Sequence, residues 1–361
     1  MSTKTSGRRV APTALLSRGA HKKPRRARSR TLTGVAVAVA ATVTAGIGIG
    51  NAITTPQGTC SMSAKLVPSC GVLWGTSGGD NGTSSTTTLE NQISRKFAFV
   101  YHFHGIDETG VPNSAEKTLS SQGHYLHLNL ESRRFVTGSG WIQYSAIASG
   151  QLDATLRKQA ANFKALGKPV FVTFDHEPDT RAKWLSHGTP AQYVAAWRHI
   201  HNVYVAAGAT NVVWVWTVTG WKGNWTKEDQ LWPGSAYVDW ISWDPYNLAG
   251  CQDGTINFDQ WISFAQSFKD SYAWFRKGGS YGEIDGTKPF MFSEFGTVTD
   301  YAQISATSQW YAAVPSTLKS YPQVKAVTQF NVKRDCDFRV SSNATVLNSY
   351  KSAGLNTYVN P

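Results

Sequence analysis

The chain has 361 residues, 41% of them hydrophobic, and carries a formal net charge of +12. This length suits two ordinary domains or one large α/β barrel, and the apolar fraction excludes wholesale disorder. Ten Lys and Arg residues lie within residues 1–30, and no acidic residue precedes Asp80. The other 25 basic residues face 23 acidic ones. The main body is therefore close to neutral, which excludes nucleic acid as its partner.

The N-terminal segment has the features of an export leader. A cationic stretch at residues 21–30 precedes an uncharged run at 31–50, and the small residues that follow make an acceptable cleavage site. The run consists mainly of Ala, Gly, Thr and Val, so it is only marginal as a membrane span. We interpret residues 1–52 as a signal peptide or an N-terminal anchor. We expect a secreted or extracytoplasmic protein that contacts a membrane only if this leader is retained.

The four cysteines all lie beyond the leader, and none belongs to a CxxC pair. An even count in an exported chain is typical of disulfides, and three pairings are possible. Sequence proximity favours Cys60–Cys70, which leaves Cys251–Cys336. The spacings match no structural zinc site, and we expect neither a metal nor a cofactor.

The main domain is predicted to span residues 71–361, behind an aperiodic linker or arm at 53–70. Within it, β-rich runs alternate with helical patterns. The predicted strands are Val72–Gly75, Phe97–Phe103, Tyr125–Leu130, Pro169–Asp175, Val212–Thr217, Val238–Trp243, Phe290–Ser293 and Ala326–Asn331.

Helical patterns separate several of these strands. The apolar residues of Gln151–Leu166 fall on one helical face. Thr189 is a good N-cap and Pro190 a good first helical residue, which predicts a helix from 190. Later helices are expected at Phe258–Lys277 and around Ser305–Ser320, the second interrupted by Pro315.

Eight strands with intervening helices predict a single (β/α)8 TIM barrel, in length and in rhythm. A doubly wound sheet is the alternative. It is less favoured because no Gly-rich phosphate turn follows the first strand.

Two glutamates follow predicted strands in similar sequence contexts. Glu177 lies near the end of the segment KPVFVTFDHEPD at strand four. Glu294 follows the apolar run in the segment KPFMFSEFG at strand seven. Reactive side chains of a (β/α)8 barrel lie at these strand ends, and an unpaired buried carboxylate is costly without a function. Two carboxyl groups facing one cleft suit glycoside hydrolysis, in which one is protonated and the other ionised.

The ordered motifs FDHEPD, WVWTVTG (214–220), DWISWDPYN (239–247) and FSEFG (292–296) resemble glycoside hydrolase family 26. The resemblance covers roughly residues 70–340. The family comprises mostly β-mannanases, with some mixed-linkage β-glucanases and xylan-active members, on retaining (β/α)8 barrels. The resemblance implies that Glu177 is the acid/base and Glu294 the nucleophile. On strand eight the chain departs from the family pattern, since Phe330 stands where a tryptophan is expected.

The same resemblance implies roles for three further residues. His176 would contact substrate or position a carboxylate, Tyr246 would hydrogen-bond near the nucleophile, and Trp184 would line the sugar site.

Aromatic content supports a sugar ligand independently, since the chain has 14 tryptophans. Several lie in predicted loops after strands, and flat aromatic faces suit the apolar faces of pyranose rings. We therefore add Trp216 and Trp243 to the predicted substrate-binding residues. His102 and His104 lie on one face of strand two and could bind a metal, but no third ligand is indicated, so a substrate-contacting or core role is favoured. We include His104 among the predicted substrate-binding residues.

The sequence thus predicts a secreted, monomeric, retaining endo-glycosidase acting on a β-linked polysaccharide, with β-1,4-mannan as the first candidate. One alternative is a β-glucanase or xylanase on the same scaffold. The other is a catalytically silent carbohydrate-binding barrel.

Overall fold

The computed structural model describes residues 60–359, except for 136–137, 139, 254–255, 259 and 300–302. The predicted leader at 1–52 and the first part of the predicted arm lie outside the described residues. Eight parallel strands follow one another around a barrel: β1 Leu73–Ser77, β2 Phe99–Gly105, β3 Tyr125–Glu131, β4 Val170–Phe174, β5 Val212–Val218, β6 Trp240–Trp243, β7 Phe290–Thr297 and β8 Val324–Phe330.

The sheet closes on itself because β8 pairs in parallel with both β7 and β1. The predicted (β/α)8 barrel is confirmed, and each predicted strand is present with ends that differ by a few residues. The largest difference is in β7, which was expected to stop at Ser293 and continues to Thr297. Its extension pairs with a short strand, Tyr246–Asn247, so Glu294 lies within β7 and not after it.

Helices cover the outside of the barrel: α1 Ser84–Ile93, α2 Ser114–Ser121, α3 Tyr144–Ala148, α4 Asp153–Leu166, α5 Pro190–Ala206, α6 Trp225–Gln230, α7 Phe264–Arg276, α8 Ile304–Ala312, α9 Val314–Lys319 and α10 Ala344–Gly354. The predicted capping box of Thr189 and Gln192 starts α5. The next predicted helix begins at Phe264 and not at Phe258, because Ser263 and Gln266 form a second capping box there. Within the described part of the chain, no helix is long and apolar enough to cross a membrane.

Residues 60–70, which the sequence predicted as part of an arm, form a loop closed by the disulfide Cys60–Cys70. Leu66 is 1% exposed and packs with residues near the starts of the strands, including Phe99 and Trp240. The loop is held by a hydrogen bond of 2.7 Å from Trp240 Nε1 to the carbonyl of Lys65. The N-terminal end of the barrel is therefore closed by an apolar plug.

A second disulfide joins Cys251 to Cys336. Cys251 begins a short strand after β6, Cys251–Asp253, which pairs antiparallel with Ile256–Phe258, and Cys336 lies in the loop after β8. This bond therefore links two segments at the C-terminal end of the barrel. The two disulfides are the pairs that sequence proximity favours.

Candidate active site

A cleft of about 790 Å³ opens at the C-terminal end of the barrel. Glu177 and Glu294 both line it, together with His176 and Tyr246, so the structure brings these four predicted site residues into one cavity. Most of the other lining residues are aromatic, charged or small; the full set is Gly79, Asp80, Asn81, Phe103, Glu131, Arg133, Phe135, Leu248, Cys251, Phe330, Arg334, Asp335, Cys336 and Phe338.

Glu177 lies on a tight turn that follows β4. Asp175 and Glu177 have positive φ angles of 47° and 50°, in the left-handed region that residues other than glycine rarely adopt. Each costs about 1–2 kcal/mol and persists only when its surroundings impose it. The neighbouring strands do so here, since Asp175 N donates to Leu130 O at 3.0 Å and Glu177 N to Thr217 O at 3.1 Å. The turn directs Glu177 into the cleft.

The environment of Glu177 favours its protonated form. Burial raises the pKa of Glu177 to about 8, and the negative charges of Glu294 and Asp179 act in the same direction. The nearby charge of Lys183 opposes the rise. A carboxyl group with this pKa holds its proton at neutral pH, as a general acid requires.

Glu294 is 9% exposed and is held from two sides. Tyr246 Oη donates to its Oε2 at 2.6 Å, and its own backbone N–H donates to Asp244 Oδ1 at 2.8 Å. Burial raises the pKa of Glu294 to about 7, while the Tyr246 hydrogen bond and the positive charge of Arg334 lower it. The hydrogen bond from Tyr246 favours the ionised form, which a nucleophile requires.

Asp244 stands between the two glutamates. Its Oδ2 is buried, and no N–H or O–H group of the described residues donates to it. Burial and the charges of Glu294 and Glu177 raise the pKa of Asp244 well above its ordinary value. The surroundings of Asp244 therefore favour its protonated form.

His176 lines the cleft beside Glu177, and its position is set by β3. Asn129 Oδ1 accepts the backbone N–H of His176 at 3.1 Å, and Asn129 Nδ2 lies 2.7 Å from His176 Nδ1. Burial, and next the positive charge of Lys183, lower the pKa of His176 well below its ordinary value. The imidazole is therefore neutral, and its Nδ1 accepts the hydrogen bond from Asn129.

Glu131 is a cleft residue that the sequence reasoning missed. It is the last residue of β3, which was predicted to end one residue earlier at Leu130. Burial raises the pKa of Glu131, whereas the charges of Lys183 and Arg133 lower it. The criterion that identified Glu177, a carboxylate at the C-terminal end of a barrel strand, also applies to Glu131.

A model of glycosyl hydrolase family 26 matches residues 120–329, more than half of the chain, and this range includes Glu177 and Glu294. The chain belongs to glycosyl hydrolase family 26. This glycoside hydrolase is similar to Endoglucanase H of Acetivibrio thermocellus, at 31% identity over 218 residues. The match covers 57% of this chain and 22% of that protein, so the chain spans less than a quarter of its relative.

Solved structures of the family share the fold of this enzyme. A GH26 β-mannanase from Bacteroides ovatus superposes with a TM-score of 0.58 at 13% identity, covering 80% of this chain and 90% of its own. The GH26 domain of an endo-β-mannanase/endo-β-glucanase from Prevotella bryantii gives 0.56 at 14% identity, covering 82% and 92%. The predicted family and glycoside hydrolase class are confirmed, and the enzymes of this family act on polysaccharides.

The tryptophans of this family 26 enzyme lie elsewhere than predicted. Trp216 and Trp243 are 0% and 1% exposed, and both pack against Phe275 of α7 in the core outside the barrel. Trp184 is half-buried beneath the ammonium of Lys227. No tryptophan is among the described residues that line the cleft. The structure thus differs from the predicted substrate contacts of Trp216 and Trp243, because both side chains point away from the cavity.

The aromatic surface of the cleft is made by phenylalanine and tyrosine. Tyr246 packs on Phe338 with ring centroids 4.8 Å apart, and Phe330 lies beside both. Phe103 packs edge-on against His176 at 5.2 Å. Phe135 also lines the cleft, so Phe330, which occupies the position of the expected strand-eight tryptophan, is one of five phenylalanine and tyrosine residues available to a sugar ring here.

His104 is buried on the outer side of β2 and does not line the cleft. Its Nε2 lies 2.7 Å from Glu116 of α2, and its Nδ1 lies 3.0 Å from Glu108. Burial lowers the pKa of His104, but hydrogen bonds to Glu108 and Glu116 outweigh it and raise the value to about 9. With both nitrogens engaged, His104 anchors β2 to α2, which departs from its predicted contact with substrate.

Within the described part of the chain, no group of three or more His, Cys, Asp or Glu side chains is arranged to hold a metal ion.

Proposed function

We propose that the enzyme is a retaining endo-glycosidase that cleaves β-linked polysaccharide, with Glu177 as acid/base and Glu294 as nucleophile. The observation that carries this proposal is that two carboxyl groups line one cleft and have surroundings that favour opposite protonation states. Glu294 accepts a hydrogen bond from Tyr246, which stabilises its charge. Burial and the neighbouring carboxylates raise the pKa of Glu177 to about 8, which favours its protonated form.

The chemistry follows from these two states. Glu294 attacks the anomeric carbon and forms a glycosyl-enzyme bond while the glycosidic C–O bond breaks, and Glu177 gives its proton to the departing oxygen. Water then attacks the same carbon, Glu177 takes the proton from that water, and Glu294 is released. Each step inverts the anomeric centre, so the product retains the configuration of the substrate.

The first candidate substrate is β-1,4-mannan, in line with the β-mannanases that share the fold. A second candidate is β-glucan, because the relative that is 31% identical is an endoglucanase. A cleft of about 790 Å³ is large within the usual range of ligand pockets, about 300–1,000 Å³, and leaves room for more than one sugar unit.

We place the enzyme outside the cytoplasm, as a monomer. Two disulfides among the described residues support the location outside the cytoplasm, since such bonds persist in oxidising compartments. The cationic leader and its apolar run support it independently. Cell fractionation followed by N-terminal sequencing tests both secretion and cleavage near residue 52.

The test of the activity is reducing-sugar release from glucomannan, galactomannan, mixed-linkage β-glucan and xylan, with Glu177→Ala and Glu294→Ala as controls. We expect release by the wild-type enzyme alone, with the β-anomer as the first product seen by NMR. Release from galactomannan selects the mannanase, and release from mixed-linkage glucan alone selects the glucanase. Binding without release by a folded protein would show a silent barrel, and full activity of either variant would remove the residue assignment.

A further inference from the structure

The turn that carries Glu177 is held from behind by a buried cluster that does not line the cleft. At its centre, the fully buried carboxylate of Asp175 accepts hydrogen bonds from Tyr144 Oη at 2.6 Å and from Ser132 Oγ at 2.8 Å. His187 Nδ1 lies 3.3 Å from the same oxygen of Asp175. Residues from the β3 and β4 loops and from α3 therefore converge on the residue two positions before Glu177.

Lys183 completes this cluster and is the part that reaches the turn itself. Its side chain is 10% exposed, although lysine is almost never buried without a partner. The ammonium lies 3.3 Å from Asp175 Oδ1 and also donates to the main-chain carbonyl of His176. One cation thus bridges the two residues that immediately precede Glu177.

These contacts coincide with the strained part of the backbone. Asp175 and Glu177 both have left-handed backbone conformations. His176 lies between them, and Lys183 donates to its main-chain carbonyl. Without that cation the carbonyl would lose its donor, and Asp175 would keep a buried negative charge with one fewer partner. The left-handed turn would then relax toward an ordinary conformation.

We propose that Lys183 is a positioning residue for the acid/base, holding the Asp175–Glu177 turn in the conformation that directs Glu177 at the leaving oxygen. This inference rests on the proposed role of Glu177. Burial lowers the pKa of Lys183, but the charges of nearby carboxylates, Asp175 first among them, outweigh it and raise the pKa above its ordinary value. The ammonium of Lys183 in turn acts through space and lowers the pKa of Glu177.

The role has a chemical signature. An alcohol leaving group of an oligosaccharide needs the proton of Glu177, whereas a dinitrophenolate departs without one. Displacing Glu177 therefore slows oligosaccharide cleavage far more than glycosylation by an activated aryl glycoside. A general loss of structure would slow both substrates alike.

The experiment compares Lys183→Met with the wild type on mannotetraose and cellotetraose, and on the dinitrophenyl β-glycosides of mannobiose and cellobiose. Lys168→Met is the matched control, because Lys168 lies at the other end of β4 and also donates to a main-chain carbonyl, that of Ser120 at 2.7 Å. Single-turnover release of dinitrophenolate isolates the glycosylation step. Circular dichroism and thermal melting confirm that each variant is folded.

We expect Lys183→Met to lose about 100-fold in kcat/KM on the tetrasaccharide that is cleaved and far less in the dinitrophenolate burst. Lys168→Met should change neither. Equal losses on both substrates, or no loss, would overturn the positioning role. Asp175→Asn, which removes the anion but keeps the shape, should give the same selective loss and decides the matter if Lys183→Met does not fold.

Glu177→Ala, run in parallel, separates this inference from the proposed function. Selective loss in Glu177→Ala without selective loss in Lys183→Met overturns only the role of Lys183. Absence of selectivity in Glu177→Ala itself overturns the assignment of the acid/base, and the inference with it.

Discussion

The two ends of the barrel are built from the same strands and have opposite chemistry. At the N-terminal end, Phe171 of β4 and Met291 of β7 are fully buried in an apolar cluster that Leu66 closes. A few residues further on, the same two strands bring Glu177 and Glu294 to the cleft. One end gains stability by burying apolar surface, and the other holds partly buried carboxyl groups that favour catalysis at the expense of stability.

Each end also has one disulfide, and the two disulfides stabilise different parts of the molecule. Cys60–Cys70 closes the short loop that carries Leu66. Cys251–Cys336 lines the cleft and belongs to a small apolar cluster with Phe330 and Phe338, against which Tyr246 packs. Since Tyr246 donates to Glu294, we expect this disulfide to help position the nucleophile through Tyr246.

The largest contrast between the ends is expected for Glu294→Gln. Activity should fall by more than the roughly 10²–10⁴-fold typical of losing an acid/base group, because the covalent intermediate cannot form. Stability should rise by roughly 1–3 kcal/mol at neutral pH. The folded-state pKa of Glu294 is about 7, above the ordinary 4.5, so ionisation weakens the fold as pH rises through this interval. Urea unfolding at pH 4 and pH 8 measures the difference, and a loss of stability at pH 8 would contradict it.

Removing the disulfides one at a time separates the ends again. In the chain-entropy model, Cys251→Ser with Cys336→Ser costs about 4.5 kcal/mol for its separation of 85 residues. Cys60→Ser with Cys70→Ser costs about 3 kcal/mol for its separation of 10. Only the first pair should also lower kcat, measured well below the melting temperature of each variant. Equal kcat values would show that the disulfide does not support Tyr246.

Leu66→Ala tests the plug without touching the cleft. It should reduce the free energy of unfolding by about 2–5 kcal/mol through lost burial and a residual cavity. The kcat/KM of the folded fraction should remain that of the wild type. Leu185→Ala is the matched control, since Leu185 is 59% exposed and its truncation should stay within about 0.5 kcal/mol. Comparable destabilisation by both variants would contradict the plug.

The smallest effect is expected for Tyr246→Phe. The lost hydrogen bond to a charged group contributes about 1.5–3 kcal/mol, and its loss raises the pKa of Glu294. Because Glu294 must be ionised to attack, the acidic limb of the kcat/KM profile should move to higher pH. The alkaline limb, which reports loss of the proton from Glu177, should stay in place. An acidic limb that stays or moves to lower pH would contradict the role of Tyr246.

Some features of the fold and of the site are encoded in local sequence patterns, and others are not. The eight strands, the start of α5 at Pro190 and the placement of both glutamates at strand ends were predictable, because local patterns encode them. Glu131 was missed because β3 runs one residue past its apolar pattern. Trp216 and Trp243 were misplaced because alternation along a strand does not tell which face turns toward the helices and which toward the cavity.

The barrel, the family and the positions of the two glutamates could be predicted from the chain alone, since short-range periodicity, caps and ordered motifs need no distant partner to be recognised. The environment of those carboxyl groups, in contrast, depends on contacts between residues that are far apart in the chain. The pairing of β7 with Tyr246–Asn247 brings Tyr246 to Glu294, and the buried Lys183 reaches the turn before Glu177. The protonation states of the site depend on burial and on charges contributed by several strands and loops, so they arise when the barrel closes.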